Sequence, residues 1–484
     1  MSMRGLRREL GLLETASVSV GVMAPTLAMS VTGAAAAREL GPAAPLAFVV
    51  AALGVGLVAY GFVRLAGEFA HAGSVYAFVG RTLGPRAGFV AGWALLGTYL
   101  VFPPVSIAGV AIFGRSLLAR AGLAADADWY PLAVGAWVVI ALLALRGIRP
   151  TTRSVLLLEV VSVVLILVLV VVILARVPGR AAGTAPLGTA GRDASLGATF
   201  TLPHGIGLSA LALAATSGFL AFAGFESAGS LGEEAVRPRR YIPAAIVGAV
   251  AFGGVFYVVC TLAQSLGFGT DPAGVARFQA SQAPLSDLAQ QYVGRFLAVL
   301  LDAGACLSAL GAGLGGVTVG SRMLFALARD GAGPRGLATV RGGTGVPVGA
   351  LAVELAAGLA LLTGFRLAGT TALDTFFYLA TPGVLSLLVM YVLTNFGAAR
   401  LLARRRPAET TLPVLGALVA GYVLARNVWP VAAWPAGVLP VLVLVWVLAG
   451  IALTVAVPGL VRRVAGGLDA GIPIGGAGQV GRVI

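Results

Sequence analysis

Residues 217–229 read Ser-Gly-Phe-Leu-Ala-Phe-Ala-Gly-Phe-Glu-Ser-Ala-Gly, which sets Gly218, Gly224, Gly229 and the carboxylate of Glu226 in the middle of an apolar run. A smooth membrane helix has no use for such residues, because a charge at that depth is expensive and glycine weakens the helix. Five apolar runs earlier, residues 21–33 read Gly-Val-Met-Ala-Pro-Thr-Leu-Ala-Met-Ser-Val-Thr-Gly and place Pro25 at a comparable depth, among glycines and hydroxyls. Proline removes a backbone hydrogen bond and clashes with the carbonyl one turn earlier, so the chain is expected to unwind there. Interrupted helices at corresponding positions of two halves mark an inverted repeat, whose facing breaks leave amides and carbonyls free at the midplane. The N-terminus of a half-helix carries partial positive charge and suits an anionic group.

Composition sets the same frame. The 484 residues are 58% hydrophobic and 11% charged, with a mean hydropathy of +0.96, and a water-soluble fold lacks the interior to hide that proportion. Apolar runs of about 20 residues, each able to cross roughly 30 Å of hydrocarbon, recur throughout and exclude a single-anchor enzyme or receptor. All 33 basic residues are arginine, so no lysine can serve in catalysis or coupling. The +14 balance sits in short loops against a lipid surface, and no nucleic-acid partner is expected. Cys260 and Cys306 lie in apolar runs and read as buried thiols. The segment before Leu10 is too polar for a signal sequence, so the first span is expected to stay in the mature chain.

Runs bounded by Arg, Pro or Gly give spans near 17–37, 43–66, 86–113, 130–146, 154–175 and 206–230. A second set lies near 242–266, 295–325, 347–364, 374–396, 411–425 and 436–457, which makes twelve in an all-α polytopic membrane protein. With the N-terminus inside, 23 of the 33 arginines fall on the cytoplasmic side, so both termini are expected in the cytoplasm of a plasma-membrane protein. The chain divides into a cytoplasmic segment (1–10), a ten-helix core (11–400, with repeats near 11–175 and 206–400), two further helices (401–460) and a cytoplasmic tail (461–484). Of the two long outer loops, 176–204 shows little reason to order, and 267–294 holds a short amphipathic pattern over Leu285–Tyr292. Steps such as Gly84-x3-Gly88-x3-Gly92 allow close helix approach.

The stretch from Phe222 through Glu226, Glu233-Glu234, Pro238-Arg239-Arg240 and Pro243 resembles the sixth helix and following loop of the amino acid-polyamine-organocation permeases. Gly73-Ser-Val-Tyr76, Gly84-Pro85 and Gly88-Phe89-x2-Gly92-Trp93 resemble the family's loop into helix three, and Ser321-Arg322 to Gly331 with Val346-Pro347 its loop after helix eight. The match runs from about residue 10 to 400. The resemblance implies a LeuT-like core of five plus five inverted helices, with helices one and six broken. It also implies alternating access that moves a small amine or amino acid, with no cofactor. It places the substrate-binding stretches on Met23, Ala24, Pro25, Thr26 and Leu27 and on Phe222, Ala223, Gly224, Phe225 and Glu226, joined by Tyr99 of the third span, with Phe222 as the gate. Where many members carry Gly-Ser/Thr-Gly, this chain has Pro25-Thr26-Leu27, so one amide donor is missing and the usual carboxylate cradle is in doubt.

Two routes to coupling stay open. One is a proton on Glu226, with Glu159 of the fifth span as a second carboxylate. The other is a sodium site of first-helix carbonyls with Ser308 or Thr318. Many sodium-independent members hold a lysine in helix five at a place that falls near Ser162, and this chain has none to offer. Asp302 and Glu354 are expected near helix ends, where snorkelling accounts for them. Glu68, Glu233 and Glu234 lie among interior arginines and are expected to form loop ion pairs.

An enzyme needs a nucleophile with a base, or a metal cluster, and the only histidines, His71 and His204, are expected at opposite faces. Gly311-Ala-Gly-Leu-Gly-Gly316 fits a nucleotide-binding fingerprint in form alone, because no strand precedes it, and reads as close helix packing. A channel remains the other class. Among carriers, an amino acid with a small or hydrophobic side chain is favoured over a polyamine or other organic cation, since the remaining pocket residues are apolar.

Overall fold

The computed structural model describes residues 10–69, 74–123, 128–147, 149–177, 195–232, 234–340, 345–431 and 433–470. His71 and Glu233 therefore lie outside the described residues, as does most of the loop 176–204. The helices are α1 (Leu12–Met23), α2 (Pro25–Leu40), α3 (Ala44–Glu68), α4 (Val75–Leu83), α5 (Pro85–Arg120), α6 (Trp129–Arg146), α7 (Arg149–Arg176), α8 (Leu196–Thr199) and α9 (Leu208–Phe222). After a 3-10 segment, Phe225–Leu231, come α10 (Pro238–Phe268), α11 (Pro272–Ala280), α12 (Pro284–Tyr292), α13 (Arg295–Leu327), α14 (Val348–Leu367), α15 (Ala372–Arg405), α16 (Thr411–Val428), α17 (Val438–Ala456) and α18 (Leu460–Ala470).

Among the described residues, eleven helical stretches are long and apolar enough to cross a membrane. The first, Leu12–Glu68, holds 57 residues and takes in both of the first two expected spans. It is interrupted at Ala24 and again by the turn Gly41–Ala43. The loop 267–294 carries α12 where the amphipathic pattern lay and α11 besides. The segment expected as the cytoplasmic tail, 461–484, opens with α18, and its residues beyond 470 lie outside the described ones. Helix α18 buries Leu460, Val464 and Leu468, one face at helical spacing. Arg81 Nη2 donates to the Leu468 carbonyl and Arg463 Nε to that of Gly331, at 2.7 and 2.9 Å.

The bundle is knitted by small residues. A Cβ on Gly88 would lie 2.5 Å from the Gly80 Cα, so α4 and α5 meet backbone to backbone, and Gly92 seats the Tyr76 side chain. Helix α5 packs most extensively against α13 and α15, and α3 against α10. At the face where α1 begins, Leu10 pairs with Ala235 through Leu10 N–H to the Glu234 carbonyl and Val236 N–H to the Leu10 carbonyl, both 3.0 Å.

Candidate functional site

The first break is a single residue. Ala24 adopts a left-handed conformation (φ 45°, ψ 64°), and Pro25 opens α2 at the position where its missing N–H costs nothing. Its fixed φ suits a helix start, so the proline begins the second half-helix rather than sitting inside the unwound turn. Thr26 N–H donates to Glu159 Oε1 of α7 at 2.8 Å, and Leu27 N–H donates to Ser308 Oγ of α13 at 3.3 Å. The freed amides of α2 are thus capped from two other helices. Glu159 is 3% exposed, and it shares this corner with buried Ser162, whose hydroxyl donates to the Leu158 carbonyl.

The second break spans two residues. Helix α9 ends at Phe222, Ala223 turns out of the helix, and Gly224 takes φ +114°, a region open to glycine and hostile to side chains. Glu226, 2% exposed, gathers three donors: Tyr99 OH on Oε1 at 3.0 Å, and Gly224 N–H and Tyr391 OH on Oε2 at 3.1 and 3.2 Å. The two breaks abut, because a Cβ at Gly224 would fall 2.7 Å from Val22 Cγ1. Ser19 ties the half-helices below them, donating to the Phe225 carbonyl at 2.9 Å and accepting from Ala228 N–H at 3.3 Å.

A cavity of about 50 Å³ lies against both breaks. Met23, Ala24 and Leu27 line it from the first and Ala223 from the second, with Leu220, Phe102, Phe376, Ser106 and Thr32 completing much of the wall. The lining is apolar apart from those two hydroxyls, and the volume suits a few waters rather than a solute. A second, smaller space of about 10 Å³ lies by Tyr99, Glu226 and Ser230. Gly316 and Ala312 of the glycine-rich run border the main cavity, and Gly316 packs on Pro103.

Other expected residues fall elsewhere. Phe222, expected as the gate, is fully buried, lies edge-on to Tyr257 at 5.0 Å and packs by Gly253, outside the cavity wall. Leu220, two residues earlier and so on the other side of α9, lines the cavity instead. Of the two hydroxyls expected as alternatives for a sodium site, Ser308 accepts from the Leu27 amide at the first break, and Thr318, ten residues further along α13, donates to the Leu314 carbonyl. Asp302 and Glu354 are not snorkelling. Asp302 is fully buried and accepts from Ser116, Arg120 and Ser286, and Glu354, 1% exposed against Gly320, has no hydrogen-bond partner among the described residues. The loop ion pairs are present as Arg322–Glu234 and Arg405–Glu68, each 2.7 Å.

Sequence reasoning missed Tyr391, Leu220, Phe102 and Phe376. Tyr391 lies in an ordinary apolar stretch of α15 with nothing local to mark it, and Phe102 precedes a Pro103-Pro104 pair that was the one available signal. Among the described residues no group of three or more His, Cys, Asp or Glu gathers that could hold a metal.

Residues 17–456 match the model of the amino acid permease family. A branched-chain amino acid permease, BcaP of Lactococcus lactis subsp. cremoris, is 26% identical over 66% of this chain and 68% of its own length. A methylthioribose transporter of Bacillus subtilis is 25% identical over 68% of each chain. The low-affinity putrescine importer PlaP of Escherichia coli is 25% identical over 68% of this chain and 69% of its own length.

Proposed function

The chain belongs to the amino acid permease family, and from that premise we propose that it is a secondary active transporter that carries a small organic solute across the plasma membrane by alternating access. The observation that carries the reading is the contact of the two broken spans beside a cavity walled by both. On this reading the 57-residue first stretch crosses twice, giving twelve passes with both termini cytoplasmic and a five-plus-five core over 11–400. The cavity is too small for the cargo, so uptake requires the walls to part and one end to close behind.

The closed end is the one where α1 begins. There Ser19 staples α1 to the 3-10 segment, Leu10 pairs with Ala235, and Tyr99, Glu226 and Tyr391 form a lid beneath the cavity. Parting the lid removes two donors from the Glu226 carboxylate, and a proton taken up at that moment replaces them, which couples solute movement to a proton gradient. Glu159, bonded to the first break itself, is the second candidate for the coupling proton. The apolar wall supports a cargo with a small or hydrophobic body, the side chain of an amino acid in the first reading and the carbon frame of an organic cation in the second.

Reconstituted protein should show saturable counterflow and pH-gradient-driven accumulation of such a solute. Steady unitary currents without counterflow would make it a channel instead.

A further inference from the structure

Among the described residues, the main-chain donors that follow Ala24 and that reach Gly224 are committed inside the protein. At the first break Pro25 has no N–H, Thr26 N–H goes to Glu159, Leu27 N–H to Ser308, and Ala28 N–H to the Ala24 carbonyl. At the second, Ala223 N–H goes to the Leu220 carbonyl and Gly224 N–H to Glu226 Oε2. The two hydroxyls of the wall, Thr32 and Ser106, donate to the carbonyls of Ala28 and Phe102. Among the described residues no lysine, arginine or histidine lines the cavity. A carboxylate arriving here finds these amides taken and no cation on the wall, and behind the wall stand two carboxylates already seated on the amides it would need.

The acceptors are in the opposite condition. The donors that a continuous helix would give to the carbonyls of Gly21, Val22 and Met23 belong to residues 25–27, and those are missing or turned to Glu159 and Ser308. These carbonyls stand at the C-terminal end of α1, which carries partial negative charge, and Val22 and Met23 border the cavity.

We propose that Glu159 and Ser308 fill the anion-binding end of α2 from within, and that the transported solute is a small organic amine without a carboxylate. Its nitrogen bonds to the α1 carbonyls and its apolar body lies along Leu27, Phe102 and Phe376. Glu159 and Glu226 stand behind the wall with their oxygens already on main-chain amides, and no acid lines the wall itself among the described residues, so the solute carries one nitrogen. This assignment rests on the transporter reading and narrows its cargo.

The test is counterflow and competition in proteoliposomes of the full chain, using 3-methylbutylamine, leucine and putrescine. The first two share a carbon frame and differ by the carboxylate. The expected result is an apparent KM for 3-methylbutylamine at least about tenfold below that for leucine. Glu159→Gln, which removes the resident charge, should narrow that ratio. If that variant fails to fold, Ser308→Ala frees the Leu27 amide and should narrow it likewise. An equal or lower KM for leucine, or preference for putrescine, overturns the assignment while leaving the carrier reading intact. Absence of counterflow with every probe removes both.

Discussion

A Cβ placed on Gly224 would lie 2.8 Å from the main-chain nitrogen of Met23, so the two broken spans touch through a residue that has room for no side chain. Gly224 also holds φ +114°, where any other residue is strained. Gly224→Ala should cost roughly 1–3 kcal/mol and push the breaks apart. A lowered melting temperature and loss of uptake are expected; wild-type uptake would show that transport does not need this contact.

Phe222 is the expected gate, yet Leu220 is the one of the two that lines the cavity, while Phe222 packs on Tyr257. Leu220→Ala should change the solute KM and size preference with little effect on melting, because it enlarges the cavity wall. Phe222→Ala should cost about 3 kcal/mol by emptying the space beside Tyr257 and Gly253, with the KM of the folded fraction nearly unchanged. Parallel melting and uptake curves for the two variants decide it, and a KM effect confined to Phe222→Ala would restore that residue as the gate.

Glu226→Gln keeps the shape of the lid and removes its titrating group. Accumulation driven by a pH gradient should disappear while exchange partly survives. Unchanged uphill uptake would dismiss Glu226 as the coupling group and turn attention to Glu159.

Arg322 of α13 reaches Glu234 in the loop behind the 3-10 segment at 2.7 Å, with both side chains mostly buried. Breaking the pair with Arg322→Gln should loosen the closed end and speed exchange roughly two- to fivefold. The charge swap Arg322→Glu with Glu234→Arg should recover part of the wild-type rate, and additive effects in this cycle would show that the pair does not couple.

Asp128 lies outside the spans, where it caps α6 and pairs with Arg366 at 2.7 Å. The Tyr130 backbone N–H, and then the Arg366 guanidinium, hold its carboxyl below the usual aspartate range. A depressed folded value means its contribution is complete above the ordinary aspartate range and fades as pH falls through that lower value. Asp128→Asn keeps the cap but loses the charge, so the wild-type advantage in melting should be small at neutral pH and vanish in strong acid. An advantage that grew with acidity would contradict this.

The apolar runs could be read from the chain because hydrocarbon demands about 20 apolar residues per crossing, and the structure puts helix over each of them. Pro25 and the Gly224-Phe225-Glu226 run also announced the breaks, since each violates the local rules of a membrane helix. The side chains around the breaks were less legible. Tyr391 reaches Glu226 from 165 residues away, and no local pattern in α15 distinguishes it from its neighbours. Which face of α9 meets the cavity, with Leu220 on it and Phe222 against Tyr257, is set by how the helix packs, and spacing alone does not encode that.

Local sequence thus determined which stretches are long and apolar enough to cross a bilayer and where two of them must break, because those depend on hydropathy and on backbone constraints carried by single residues. Tertiary packing alone decided what fills the breaks. Glu159 and Ser308 reach the α2 amides from helices more than a hundred residues downstream. Hydrogen-bond partners at such distances are selected by how helices are juxtaposed, which one-dimensional spacing does not encode.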